Sequence, residues 1–304
     1  MDPVLIIHAA ADGDTNLVTL LLSLGARIDV RDRGITPLLV AAQRGHSDVC
    51  EVLLATGKAN MKERDLDGFS PLLIAAQFGH TEVCELLIDK GRANIEETLP
   101  DGNTALDIAV IKGHAGTVAL LLSKGARMDG RNDRDFTPLL EAAQAGHAEV
   151  CKLLLETGKA NLEETSPNGG TPLLLAAENG DIEVCELLLK GGSDPEKKAP
   201  VMLQTSLHHA AAKNCLGLIE LLISYGANVN VGSIKGDTPL HLASHEGCVA
   251  SVVALLQAGA DPLLFGLDGC LPIHVAAGRN HLAVVNVLIE RGGCKIDQVL
   301  KECK

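Results

Sequence analysis

A segment of 32 to 34 residues recurs along this chain, and that periodicity limits the fold more than any other feature. Its clearest copy is Thr171–Gly191, TPLLLAAENGDIEVCELLLKG. Thr171 can cap a helix, because its hydroxyl accepts an orphan N–H of the first turn. Pro172 suits the first helical position, where a missing N–H costs nothing. Leu173, Leu174, Ala176 and Ala177 then make a short helix with a small-residue face, and Gly180 supplies the left-handed residue that ends it. A second helix begins near Asp181, carries Val184, Cys185, Leu187, Leu188 and Leu189 at helical spacing, and closes at Gly191. Each unit is helix, turn, helix, then an extended linker.

The capping position recurs at Val4, Thr36, Ser70, Thr104, Thr137, Thr205, Thr238 and Leu271. Nine residues past it stand Gly13, Gly45, Gly79, Gly113, Gly146, Gly180, Asn214, Gly247 and Asn280. Only Gly and Asn occur there, the two residues most at ease in the left-handed conformation. Fourteen residues past the cap, Cys50, Cys84, Cys151 and Cys185 alternate with Val and Ile, so these thiols act as small core hydrophobes. Cys294 and Cys303 fall outside the pattern and read as exposed thiols. His46, His80, His114, His147 and His281 follow the stop residue and read as turn histidines, since a catalytic group is needed only once.

The motifs TPLHLAS at Thr238–Ser244, TPLLVAA at Thr36–Ala42 and TPLLLAA at Thr171–Ala177 resemble the signature of ankyrin repeats over essentially the whole chain. The resemblance implies an all-α ankyrin-repeat solenoid of stacked helix-turn-helix units with projecting β-hairpin-like fingers. It implies one domain, 1–304, headed near residues 4, 36, 70, 104, 137, 171, 205, 238 and 271. The first and last units depart from the pattern, as capping units must when one face meets water.

The net charge of −13 with 2% aromatic residues argues against nucleic-acid binding. No stretch reaches the ~20 apolar residues that span a bilayer, and the N-terminal MDPVLIIHAAADGD has no basic leader region. Nine cysteines without a secretory signal point to a reducing, intracellular setting, cytoplasmic or nuclear. No phosphate loop, nucleophile elbow, CxxC or HExxH is present, so the chain reads as a non-enzyme without cofactor. His241 and His245 have the spacing of a zinc pair, but no third ligand accompanies them, and His241 belongs to the TPLH column with His208 and His274.

The resemblance also implies protein–protein recognition by a monomeric scaffold. An alternative is a substrate-recruiting or regulatory arm of a larger signalling or ubiquitin-ligase assembly. The family's variable, concave-face positions lie one residue before the cap and seven and eight residues after it. They include Ile35, Arg44, Phe69, Gln77, Phe78, Asn103, Lys112, Phe136 and Gln144, with three of the four Phe. Aromatics dominate binding hot spots at ~2 kcal/mol or more each, so Phe69, Phe78 and Phe136, with Ile35 and Ile111, form the expected apolar strip; the alternative is that Phe69 and Phe136 pack locally against adjacent fingers. Finger charges alternate in sign, Arg31/Arg33, Lys62/Arg64, Glu96/Glu97, Arg131/Arg134, Glu163/Glu164, Lys197/Lys198, as a solvated surface would, or as charges that set register for a long partner would. The finger 193–204 replaces its usual Gly with Leu203 and is expected to be irregular. Asn230, in LLISYGANVN, resembles the finger asparagine that is hydroxylated in many ankyrin repeats.

Overall fold

The computed structural model describes residues 3–295, and 18 α-helices lie among them, in pairs. The described residues divide into two compact units. Unit 1 runs to Ala142 and adds Lys152–Ala160; unit 2 holds Ala143–Cys151 and the residues from Asn161 on. The division passes through the repeat that contains α9 (Pro138–Ala145) and α10 (Ala148–Glu156).

In unit 1 the first helices α1 (Leu5–Asp12), α3 (Pro37–Arg44), α5 (Pro71–Phe78) and α7 (Ala105–Ile111) pack side by side in one row. The second helices α2 (Thr15–Ser23), α4 (Ser47–Ala55), α6 (Thr81–Asp89) and α8 (Ala115–Ser123) form another row against them. Unit 2 repeats the arrangement. Its first helices are α11 (Pro172–Asn179), α13 (Ser206–Ala212), α15 (Pro239–His245) and α17 (Pro272–Gly278). Its second helices are α12 (Ile182–Gly191), α14 (Leu216–Ser224), α16 (Val249–Gln257) and α18 (Leu282–Glu290).

Local chemistry sets these boundaries. The side chains of Thr36, Ser70 and Thr171 accept the N–H of Leu39, Leu73 and Leu174 at 3.2, 3.2 and 3.3 Å, a cap worth ~1 kcal/mol. Gly45, Gly79 and Gly180 end the helices at φ +78°, +72° and +86°. Gly191 is the last residue of α12 and Gly192, at φ +102°, is its stop, one place later than the sequence pattern suggests. The Ala pairs of the first helices, such as Ala41/Ala42 and Ala75/Ala76, are fully buried, which lets neighbouring helices approach closely. Leu53, Leu87, Leu121 and their counterparts are equally buried and each contributes ~1.5–3 kcal/mol.

Cys50, Cys84, Cys151 and Cys185 are fully buried, and burial pushes their thiols up to about 12, out of reach of redox chemistry at neutral pH. Cys294 is a correction to the sequence reading: it is 3% exposed, because the chain leaving α18 folds back with its N–H on the Leu288 carbonyl. Cys303 lies outside the described residues.

The fingers close as tight turns, and the isolated bridges Asp32–Ile35 and Thr98–Thr104 are the β pairing among the described residues. In a typical finger, Asp65 N–H bonds the Phe69 carbonyl and Gly68 N–H bonds back to Asp65. The finger 193–204 differs as expected. Ala199 N–H reaches the Gln204 carbonyl, one residue farther, and Leu203 takes the left-handed place at φ +51°. Pro200 lies over Gly169, where an added β-carbon would fall 2.0 Å from the ring.

Candidate functional site

The residues before and after each first helix owe their positions to the helix cap, so the cap's own bonding fixes the face they build. A capping hydroxyl also has a proton to donate, and several repeats supply its acceptor in different ways. Where the third helical residue is His, as at His208 and His241, its Nδ1 accepts from the hydroxyls of Thr205 and Thr238 at 3.0 and 2.9 Å. In the Thr104 repeat Asp107 does so at 2.7 Å. Where that residue is Leu39 or Leu73, a glutamate 27 residues beyond the cap reaches back instead: Thr36 donates to Glu63 at 2.5 Å and Ser70 to Glu97. Burial raises the carboxyl pKa of both Glu63 and Asp107.

The strip expected before the caps is narrower than its residue types suggest. Ile35 and Phe69 are half-buried, whereas Asn103 and Phe136 are buried. A polar network joining two adjacent repeats covers them. Asn132 Nδ2 donates to Asn103 Oδ1 at 3.0 Å and to Glu141 Oε1 at 2.9 Å, and Arg134 pairs with the same carboxylate at 2.5 Å. The Arg134 guanidinium also stands over the Phe136 ring, 5.3 Å from its centre. Phe136 is therefore a packed residue, and the exposed aromatic expected there is corrected. Glu141 could have flagged this in the sequence, since it stands where other repeats carry Val40, Ile74, Ile108 and Leu175.

At the far ends of the first helices the expected residues are accessible. Arg44, Phe78 and Lys112 are exposed, and Gln77 is half-buried. Phe78 is 46% exposed, with its ring stacked on His80 at 6.2 Å and 20°. A cleft of about 160 Å³ opens beside Ile35, lined by Arg33, Asp65 and Asp67 together with Leu39, Leu66 and Ile74. Gln144 belongs to unit 2, where its side chain is exposed and its carbonyl accepts from Asn179 Nδ2 at 2.5 Å.

The alternating finger charges do more than keep the surface wet. Arg64 pairs with Glu97 at 3.0 Å and Lys197 with Glu163 at 3.6 Å, each joining neighbouring fingers. Arg31 donates to the carbonyls of Gly34 and Arg64, and Glu96 accepts the Arg127 N–H. Sign alternation between adjacent fingers thus places opposite charges side by side.

His241 and His245 do not share a ligand site. His241 spends Nδ1 on Thr238 and Nε2 on the Cys270 carbonyl, while His245 faces Glu246 and Arg279. Asn230 Oδ1 accepts the Asp261 N–H at 2.8 Å, so its side chain ties one finger to the next.

The sequence reading missed an apolar ridge on unit 2. Val201, Ile234 and Phe265 are 70%, 58% and 67% exposed on successive fingers, with Met202, Leu203 and Leu267 beside them. Ile234 N–H bonds the Met202 carbonyl at 2.8 Å, and Leu267 N–H bonds Asp237 Oδ1 at 2.9 Å, so the fingertips are held together. The signal was the fourth Phe, standing in a finger instead of beside a cap.

Paired helices in two rows, joined by tight fingers, define a helical repeat protein. The family model for ankyrin repeats matches residues 4–62, 57–132, 125–199 and 207–299, and the chain belongs to the ankyrin-repeat family. It is similar to the crystal structure of the human ASB11 ankyrin repeat domain at 27% identity and a TM-score of 0.63, covering 72% of this chain and 97% of that one. A search of curated proteins found no match. Ankyrin repeats are generally protein–protein interaction modules, and the family is typically non-catalytic. No described helix is long and apolar enough to cross a membrane.

Proposed function

We propose that this chain is a non-catalytic recognition scaffold that holds a partner protein or peptide on the first-helix face of unit 1. Ile35, Arg44, Phe69, Gln77, Phe78 and Lys112 make the contacts, while the buried Asn103 and Phe136 set the floor beneath them. The observation that carries this reading is Phe78, an aromatic side chain left 46% exposed at a place the repeat core does not use. Stacked helices hold the face rigid before binding, so little ordering entropy is lost when a partner arrives.

The test compares capture from lysate by the intact chain and by a Phe78→Ser, Ile35→Ser variant with an unchanged helical signal and melting temperature. Proteins held by the first and released by the second, then confirmed by direct binding, support the reading. An identical set held by both places recognition elsewhere. Phe136 is left intact, because its burial makes its loss a stability defect.

A further inference from the structure

We infer that the partner of the unit 1 face is an extended acidic segment in which a large apolar side chain stands between two carboxylates. This rests on the reading under Proposed function and names the chemistry that the same face selects. Arg44, Phe78 and Lys112 occupy one place in three successive repeats, at or just past the ends of α3, α5 and α7. All are exposed. The three helices pack side by side, so neighbouring places lie about one helix spacing apart, ~10 Å, and the two cations stand roughly 20 Å from each other.

Among the described residues neither Arg44 nor Lys112 has an ion pair or a side-chain hydrogen bond. On the fingers, by contrast, Arg64 and Arg134 are each held by a carboxylate. A cation near a helix C-terminus is favourable by itself, which would account for Arg44 and Lys112 one at a time. It gives no reason for Phe78 in the place between them. The flanking Gln43, Gln77 and Ile111 are uncharged, and Asp12 holds the row's outer place beyond Arg44. In a chain of net charge −13, the row is a cation, an aromatic and a cation.

Complementary charge sets specificity and register at such a surface. A chain in the polyproline II conformation has about three residues per turn and advances ~3.1 Å per residue, so carboxylates about six residues apart and an apolar residue midway share one face and meet both cations and Phe78.

The experiment is a selection of random dodecapeptides displayed on phage, run against the full chain and against an Arg44→Glu, Lys112→Glu variant. Both positions are exposed, and circular dichroism checks that the helices are intact. The intact chain should enrich an apolar residue flanked on both sides by Asp or Glu. The best synthetic peptide should bind the variant at least about tenfold more weakly and should weaken as salt screens the pairs. The variant should turn the selection toward Lys and Arg flanks. Peptides without an acidic excess, or bound equally by both chains, overturn the acidic partner. If those peptides still release on Phe78→Ser, the proposed face stands without this inference; if they do not, both fall. An empty selection counts against both.

Discussion

The His80 imidazole fills the space that a side chain on Gly45 would need. A β-carbon on Gly45 would fall 2.5 Å from Nδ1, while Nε2 donates to the Gln43 carbonyl at 3.0 Å. The same pairing joins Gly13 to His46, Gly79 to His114 and Gly247 to His281. It also explains where asparagine is tolerated in the stop column. Asn214 faces Cys248 in the next repeat, and Cys248 leaves room for Asn214 Oδ1 to accept from Ser251 at 3.1 Å.

Gly45→Ala should therefore cost more than Gly180→Ala. Both residues have positive φ, worth ~1–2 kcal/mol against a β-carbon, but only Gly45 has a ring against it; Gly180 meets no atom within 4 Å. Displacing His80 adds about 1 kcal/mol for its hydrogen bond. Urea titrations of the two variants check the difference, and equal costs would show that the ring yields freely.

The buried cap acceptors give a second contrast. Glu63 must ionise in a dry site, and its raised pKa means that the folded chain holds a proton the unfolded chain has released. Its contribution to stability thus falls as pH rises from 4.5 through the folded value. Glu63→Gln keeps an acceptor for the Thr36 hydroxyl without a charge, and should match or exceed the parent at pH 7. Glu63→Leu strands that buried hydroxyl and should lose ~1–3 kcal/mol. Thermal melts of both variants decide it.

Acid should weaken the unit 2 caps. His208 accepts from Thr205 N–H at 3.1 Å and from its hydroxyl through Nδ1, and donates through Nε2 to the Asp237 carbonyl at 3.0 Å. A protonated ring would turn a second donor toward the Thr205 donors. Burial holds its pKa down at about 4, and His209 and His241 are lowered for the same reason. Between pH 6.5 and 4 the unfolded chain binds the proton first, so stability present above 6.5 is lost as pH falls through this window. His208 alone accounts for up to ~3 kcal/mol. His208→Leu should flatten that dependence in denaturant titrations across the window, at the cost of an unmet hydroxyl at neutral pH.

The exposed ridge of unit 2 should behave as surface. Ile234→Ser and Phe265→Ser remove little buried area and should change stability by no more than ~0.5 kcal/mol. Leu222→Ala, at a fully buried place in α14, should cost ~2–5 kcal/mol. A large loss from Phe265→Ser would mean that the ring is packed and that the ridge is core.

Much of this protein was legible in its residues because the same short-range chemistry is stated over and over. A Thr or Ser hydroxyl caps its own helix, Pro follows, and Gly or Asn ends it. Each interaction spans a few residues, so Gly45 could be assigned left-handed backbone before any neighbour was known, whereas Leu203, a residue that disfavours positive φ, takes it only in the folded finger. The cysteine column was legible for a related reason: Cys50 and Cys84 exchange with Val at one place, and only a buried apolar site accepts all of these.

What the tertiary structure decided was the fate of side chains whose neighbours come from another repeat. Phe69 and Phe136 hold equivalent places, yet the first is half-buried and the second buried, because Arg134 and Glu141 close over one and have no counterpart beside the other. Arg64 meets Glu97 and Thr36 meets Glu63 across 33 and 27 residues. Local sequence determines backbone conformation through sterics and caps that act within one turn. Burial and charge pairing depend on what the adjoining layer places within a few ångströms, and only the stacking of repeats sets that.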